Sequence, residues 1–163
     1  MAGAGKTTLG KALAQKLNWL HVDTDYLLEA WWGTELETLR KTLGANDFLR
    51  AEQEIILQLK VKKTVISTGG SVVYSEQAMN YLRQLGKIIY LQASQETLEQ
   101  RIKQNPKRGL IIQPGQTIAD LVAERTPLYQ KYAQFSIHTE SNLDQNLEQI
   151  LTWLKKINFT QEL

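Results

Sequence analysis

Residues Gly3 to Thr8, Gly-Ala-Gly-Lys-Thr-Thr, set two glycines, a cation and two hydroxyls in a row, which is the chemistry of a polyphosphate cradle. Gly3 and Gly5 let backbone N–H groups turn toward phosphate oxygens without side-chain bulk, with Ala4 between them. Lys6 supplies a mobile positive charge for the outer phosphates, and Thr7, followed by Thr8, offers a hydroxyl suited to Mg²⁺. Leu9, Ala12, Leu13 and Leu17 then recur at helical spacing, so the loop opens a helix whose positive dipole end faces the same anion. The segment fits the back of the G-x-x-x-x-G-K-[ST] pattern. The first glycine of that pattern, and the strand that feeds it, would fall before Met1. The bland alternative is a Gly-rich tail ahead of a helix; the helix in register favours a nucleotide-binding loop.

Other groups could complete a reaction. Asp23-Thr24-Asp25 ends a short apolar run, Trp19–Val22, that reads as a strand. Gly69-Gly70 stops a second, Val65–Thr68, and a polar segment over 104–116 carries Arg108 among Pro106, Gly109 and Gly115. Helices are expected over roughly 25–43 and 47–60, around Ala78–Leu85, around Leu98–Ile102, over roughly 117–133, and around Ile150–Leu154. Further strands read at Ile88–Leu91 and Phe135–Thr139. Strand and helix alternate throughout, which predicts an α/β fold: a parallel sheet between helical layers, αβα, its ligand beyond the carboxyl ends of the strands. The acid pair, the glycine turn and the 104–116 loop all fall at those ends. A strand ahead of Met1 would be central in the sheet, so without it apolar edges should be exposed and the phosphate loop loosened.

The 163 residues suit one domain, 42% apolar and 22% charged, ordinary for a soluble globular chain. A net charge of +2 with scattered basic residues gives no case for nucleic acid or a membrane surface as partner. There is no cysteine, and no His/Asp/Glu cluster has the spacing of a zinc site. His21 and His138 read as structural, and Trp31-Trp32 as packing over the substrate region. No signal peptide or spanning segment is visible; the expectation is a cytoplasmic monomer.

The order of these motifs resembles the shikimate kinases: phosphate loop, Asp-x-Asp, Gly-Gly after a strand, an arginine in a lid, then Arg125-Thr126-Pro127-Leu128-Tyr129. The resemblance runs over roughly residues 1 to 139. It implies a nucleoside-monophosphate-kinase-like P-loop domain with a helical substrate-binding region, about 25–60, and a lid, about 104–116. The implied reaction moves the ATP γ-phosphate to the 3-hydroxyl of shikimate with Mg²⁺. By resemblance Lys6 and Thr7 contact phosphate and metal, and Asp23 holds Mg²⁺ through water. Asp25 binds and activates the substrate hydroxyl, Gly69 and Gly70 approach the substrate, Arg101 packs on adenine, Arg108 reaches the phosphates, and Arg125 clamps the substrate carboxylate.

Two departures stand out. Ser71 replaces a third glycine, and the family's Phe-Arg pair falls on Phe48-Leu49, leaving Arg50 one residue late as the only nearby substitute for substrate binding. One residue is about 100° of helix, so Arg50 would point elsewhere unless the helix slips. Losing one charge-assisted hydrogen bond costs about 1.5–3 kcal/mol. A kinase of another hydroxy acid or sugar acid, gluconate-like, therefore competes, as does an ATP-binding module with impaired catalysis. Bland readings also exist for single residues: Asp25 as a helix N-cap, Asp23 as a turn residue, Arg108 as a solvated charge, Arg125 as a partner of the helix dipole.

Overall fold

The computed structural model of the chain describes residues 1–104 and 115–159. Helix α1, Lys6–Leu17, starts from Gly5 and ends at Asn18, both in the left-handed region (φ 86° and 55°). Strand β1, Leu20–Asp23, leads into α2, Thr24–Trp32, and α3, Leu36–Gln58. The sequence predicts one helix over 25–43, but Gly33 (φ 64°) closes α2 with its N–H on the Glu29 carbonyl. The Glu29 carboxylate accepts from Leu36 N and so starts α3, which continues past a kink at Gly44 (φ 72°).

Strand β2, Thr64–Ser67, gives way to a 3₁₀ turn, Gly70–Tyr74, and α4, Glu76–Leu85, whose N-cap Ser75 accepts from Ala78 N. Strand β3, Ile89–Gln92, and α5, Gln95–Gln104, precede the 105–114 gap; Arg108 thus lies outside the described residues. Helix α6, Ile118–Tyr132, opens with a reciprocal capping box between Thr117 and Asp120. Strand β4, Phe135–His138, and α7, Leu143–Lys156, complete the order.

The strands pair in parallel, β1 with β2 and β3 with β4, and among the described residues the two pairs are separate sheets. Helices cover both faces. On one, α1 and α7 pack Leu9, Leu13, Ile150 and Leu154 against β4 and the inner strands. On the other, α3, α4 and α6 close a second cluster that includes Ile56, Val72, Met79 and Tyr132. The three-layer αβα arrangement is as expected, but the layer between the helices is divided.

Helix α1 lies so close to the strands that a Cβ on Gly10 would stand 2.5 Å from Ser67 Oγ and 3.0 Å from His21 Nε2. Alanine is worth up to about 1 kcal/mol over glycine as a helix former, whereas overpacking costs about 1–3 kcal/mol. Gly10→Ala is expected to lower stability by about 1 kcal/mol in urea unfolding; a more stable variant would show that the helix can retreat without loss.

Candidate active site

The phosphate loop is held from both halves of the divided sheet. Gly3 and Gly5 have φ of 76° and 86°, a turn open to residues without a side chain. From the β3/β4 side, Arg101 donates to the Gly3 carbonyl (3.1 Å) and to the Thr139 carbonyl (3.1 Å). From the β1/β2 side, Ser67 Oγ donates to the Lys6 carbonyl (3.0 Å) and meets His21 Nε2 (2.9 Å). Lys6 Nζ donates to the Met1 carbonyl (2.6 Å). Ser67, at the end of β2, and Arg101, on α5, hold the loop backbone. The adenine-stacking role implied for Arg101 meets a guanidinium already hydrogen-bonded to backbone, which braces Gly3. Ala4 is buried with Met1, Leu98 and Leu121, and Thr8 joins Thr7, Lys11 and Gln15 around an open hollow beside the loop.

Thr7 Oγ1 donates to Asp23 Oδ2 (2.7 Å), so a hydroxyl and a carboxylate oxygen converge at the start of α1. Such hard oxygen donors, beside a phosphate loop, suit Mg²⁺, which keeps waters and bridges to substrate phosphates. The other Asp23 oxygen accepts from Asp25 N (3.1 Å) as the N-cap of α2. Capping, considered for Asp25, therefore belongs to Asp23.

Gly69 is tightly crowded where a side chain would stand, and Gly70 has close neighbours at ordinary contact distance. Gly69 N donates to Thr24 Oγ1 (3.1 Å), and a Cβ on Gly69 would run into Glu52 Oε1 and stand 2.9 Å from Asp25 Oδ1. A Cβ on Gly70 would lie 3.4 Å from both Arg125 Nη1 and Tyr129 Oη. Tyr129 donates to the Gly70 carbonyl (2.7 Å), with its hydroxyl pushed up to about 12 chiefly by burial and so neutral as a donor. Arg125 is only 2% exposed; its Nε donates to Tyr74 Oη (3.0 Å) and its guanidinium sits 5.1 Å from that ring's centroid. The glycine turn thus has two carboxylates beside Gly69 and a buried guanidinium beside Gly70.

Glu52 and Tyr74 escape a motif-based reading. A signal for Glu52 does exist: it is an acid on the apolar stripe Phe48, Ala51, Ile55, Ile56 of α3, where a solvated charge has no place. It is 4% exposed, and the Ser71 hydroxyl donates to it. The serine that replaces a third glycine therefore serves a buried acid. Arg50, the candidate for a second substrate-carboxylate contact, is corrected: its side chain is 77% exposed and pairs with Asp47 (3.1 Å) one turn earlier. The cause is the one-residue offset, which turns it off the face carrying Glu52. Arg40 likewise pairs along the helix, with Glu37 (2.7 Å).

A phosphate loop braced from two strand ends, oxygen donors for a hard cation, and a crowded cleft holding both acid and guanidinium define a P-loop phosphotransferase for a small molecule. The family model for shikimate kinase matches residues 2–155. A shikimate kinase of Haemophilus influenzae is 35% identical over 161 residues, 96% of this chain and 89% of that protein. One from Thermodesulfovibrio yellowstonii is 38% identical over 141 residues, 85% of this chain and 81% of its own. The solved shikimate kinase from Acinetobacter baumannii, in complex with shikimate, superposes with a TM-score of 0.85 at 30% identity, covering 96% of this chain and 89% of its own. The chain belongs to the shikimate kinase family.

Burial first, then the Asp25 charge, lifts the Glu52 carboxyl from 4.5 to about 7, against the opposing pull of Ser71, Arg125 and Lys6. The folded state therefore holds this proton more tightly than the unfolded chain, so the contribution to stability is full below about pH 4.5 and is lost as pH rises toward 7. The interval corresponds to about 3 kcal/mol. Glu52→Gln should remove this downward slope between pH 5 and 7 in urea unfolding; an unchanged slope would place its origin in another group.

Proposed function

We propose that this chain transfers the γ-phosphate of ATP to a ring hydroxyl of shikimate, the 3-hydroxyl in the family's reaction. The observation that carries the reading is that the Asp25 carboxylate borders Gly69 and the Arg125 guanidinium borders Gly70, beside the phosphate loop. Shikimate offers hydroxyls to the first and a carboxylate to the second. The family membership and the shikimate-bound relative support it.

The chemistry needs placement and charge more than covalent participation. The substrate carboxylate pairs with Arg125, whose burial strengthens the contact, and the ring packs against Gly69-Gly70, where any side chain would occupy its space. Asp25 accepts the proton of the attacking hydroxyl as that oxygen bonds to the γ-phosphorus and the bond to the β–γ bridging oxygen breaks, leaving ADP. Loop N–H groups, the α1 terminus and Lys6, moved from the Met1 carbonyl to the phosphates, offset the charge that develops. Thr7 and Asp23 would hold Mg²⁺, which neutralises phosphate charge when bound. We assign one domain to the described chain, with substrate gripped by the 25–60 region and a lid over 104–116 from which Arg108 reaches the phosphates. The enzyme works as a cytoplasmic monomer, with no nucleic-acid or membrane partner; among the described residues no helix is long and apolar enough to cross a membrane.

A coupled ADP-release assay tests the reading. Shikimate should stimulate turnover, and Asp25→Asn should reduce kcat about 100-fold or more while leaving ATP affinity intact. No stimulation at millimolar shikimate would sink the substrate assignment.

The outward Arg50 favours a second reading, a kinase for another hydroxy acid that needs only one guanidinium. A panel including gluconate in the same assay separates the two. If shikimate is the acceptor, Leu49→Arg, one turn before Glu52, should lower its KM about tenfold by adding a second contact to the carboxylate. An unchanged or higher KM would mean that position 49 does not face the substrate.

A further inference from the structure

The 3₁₀ turn Gly70–Tyr74 carries the chain from the glycine turn to Tyr74, which meets Glu124 and Arg125 of α6. These side chains form one directed hydrogen-bond series. Gln116 Nε2 donates to Glu124 Oε2 (2.9 Å), Tyr74 Oη donates to Glu124 Oε1 (2.6 Å), and Arg125 Nε donates to Tyr74 Oη (3.0 Å). A phenol has a single proton, so giving it to Glu124 leaves the oxygen lone pairs for Arg125. Burial raises the Tyr74 pKa above its ordinary value, which keeps that proton in place. A hydroxyl that donates to a carboxylate is also a better acceptor, and both of its bonds are charge-assisted. The same ring lies under the guanidinium, its centroid 5.1 Å from the guanidinium carbon.

We infer, building on Arg125 as the proposed contact for the acceptor's carboxylate, that Tyr74 is the positioning residue for that contact. Held by Glu124, it fixes the plane of the guanidinium and turns its Nη end toward the substrate cleft. A guanidinium is a rigid planar fork, with one edge that includes Nε and an end made by the two Nη atoms. Tyr74 takes the Nε position. Nη1 stands beside Gly70, since a Cβ there would lie 3.4 Å from it. A carboxylate beside Gly70 therefore meets the Nη end. Orientation counts for more here than where two arginines share the anion, because Leu49 offers no charge and Arg50 pairs with Asp47 at the surface. A fork already fixed in plane loses less freedom on binding, and it favours a two-oxygen anion over a neutral group of the same shape.

Steady-state kinetics of the whole chain with shikimate and with its neutral carboxamide, at saturating ATP, test the assignment. Tyr74→Phe keeps the ring and removes the acceptor for Arg125 Nε. It should raise the KM for shikimate about tenfold and leave kcat, the KM for ATP and the KM for the carboxamide unchanged. Glu124→Ala, a change at the surface, should raise the shikimate KM about threefold, because the Tyr74 proton loses its fixed direction. An unchanged shikimate KM in Tyr74→Phe, an equal rise for acid and carboxamide, or a fall in kcat alone would overturn the inference. If another acid of the panel replaces shikimate as acceptor, the substrate reading falls, and the same comparison with that acid and its carboxamide decides the role of Tyr74. A chain that phosphorylates no carboxylic acid overturns both.

Discussion

A guanidinium taken almost wholly out of water sets the terms for this site. Arg125 cannot be deprotonated, and burial makes every neighbour answer to its charge. Tyr74 receives its Nε, and the Glu52 and Asp25 carboxylates lie against the adjoining Gly69. Gly69 then has no latitude, because the space a side chain would need is already taken by the two carboxylates. The turn follows β2 directly, so the placement of Arg125 reaches back into the register of the strand. A surface ion pair such as Arg50–Asp47 imposes nothing comparable, since water screens it and either partner can move.

The pairing of Glu52 with Ser71 explains two departures from the family pattern as one. With leucine at position 49, no guanidinium stands a turn before the acid on its own helix, and a buried carboxylate without a donor is costly. The Ser71 hydroxyl supplies one, at a position where a further glycine would offer none. What remains is a carboxyl that carries its proton close to neutrality, a different electrostatic surface for the substrate than two fixed ions would give.

Much of this was legible in the residues. Alternating apolar runs and helical periodicities placed all four strands within a residue or two, and the loop glycines, Lys6 and Thr7 named the phosphate chemistry. Gly44 marked the kink in α3, whereas Gly33 went unread because the apolar spacing runs through it unbroken. Which of Asp23 and Asp25 caps α2 could not be told from sequence, since capping depends on which backbone N–H lies within reach. Glu52 was hidden for another reason: its chemistry comes from burial, and burial is decided by α3 packing against Gly69 and Ser71, distant in sequence. The hydrogen bonds of Arg101 to the Gly3 and Thr139 backbone are a contact that no spacing rule announces.

Helix α1 has a consequence beyond carrying the loop. Its inner face touches the apolar residues of both half-sheets, Val65 on one side, Ile89, Leu91 and Ile137 on the other, and its far neighbour is α7. It is the staple of the domain as well as the helix that the phosphate loop opens. Occupancy at its N-terminus is therefore linked to the cooperativity of the whole chain. In a cell, the nucleotide pool would act on this protein as a chaperone-like ligand, governing how long it survives as well as how fast it works.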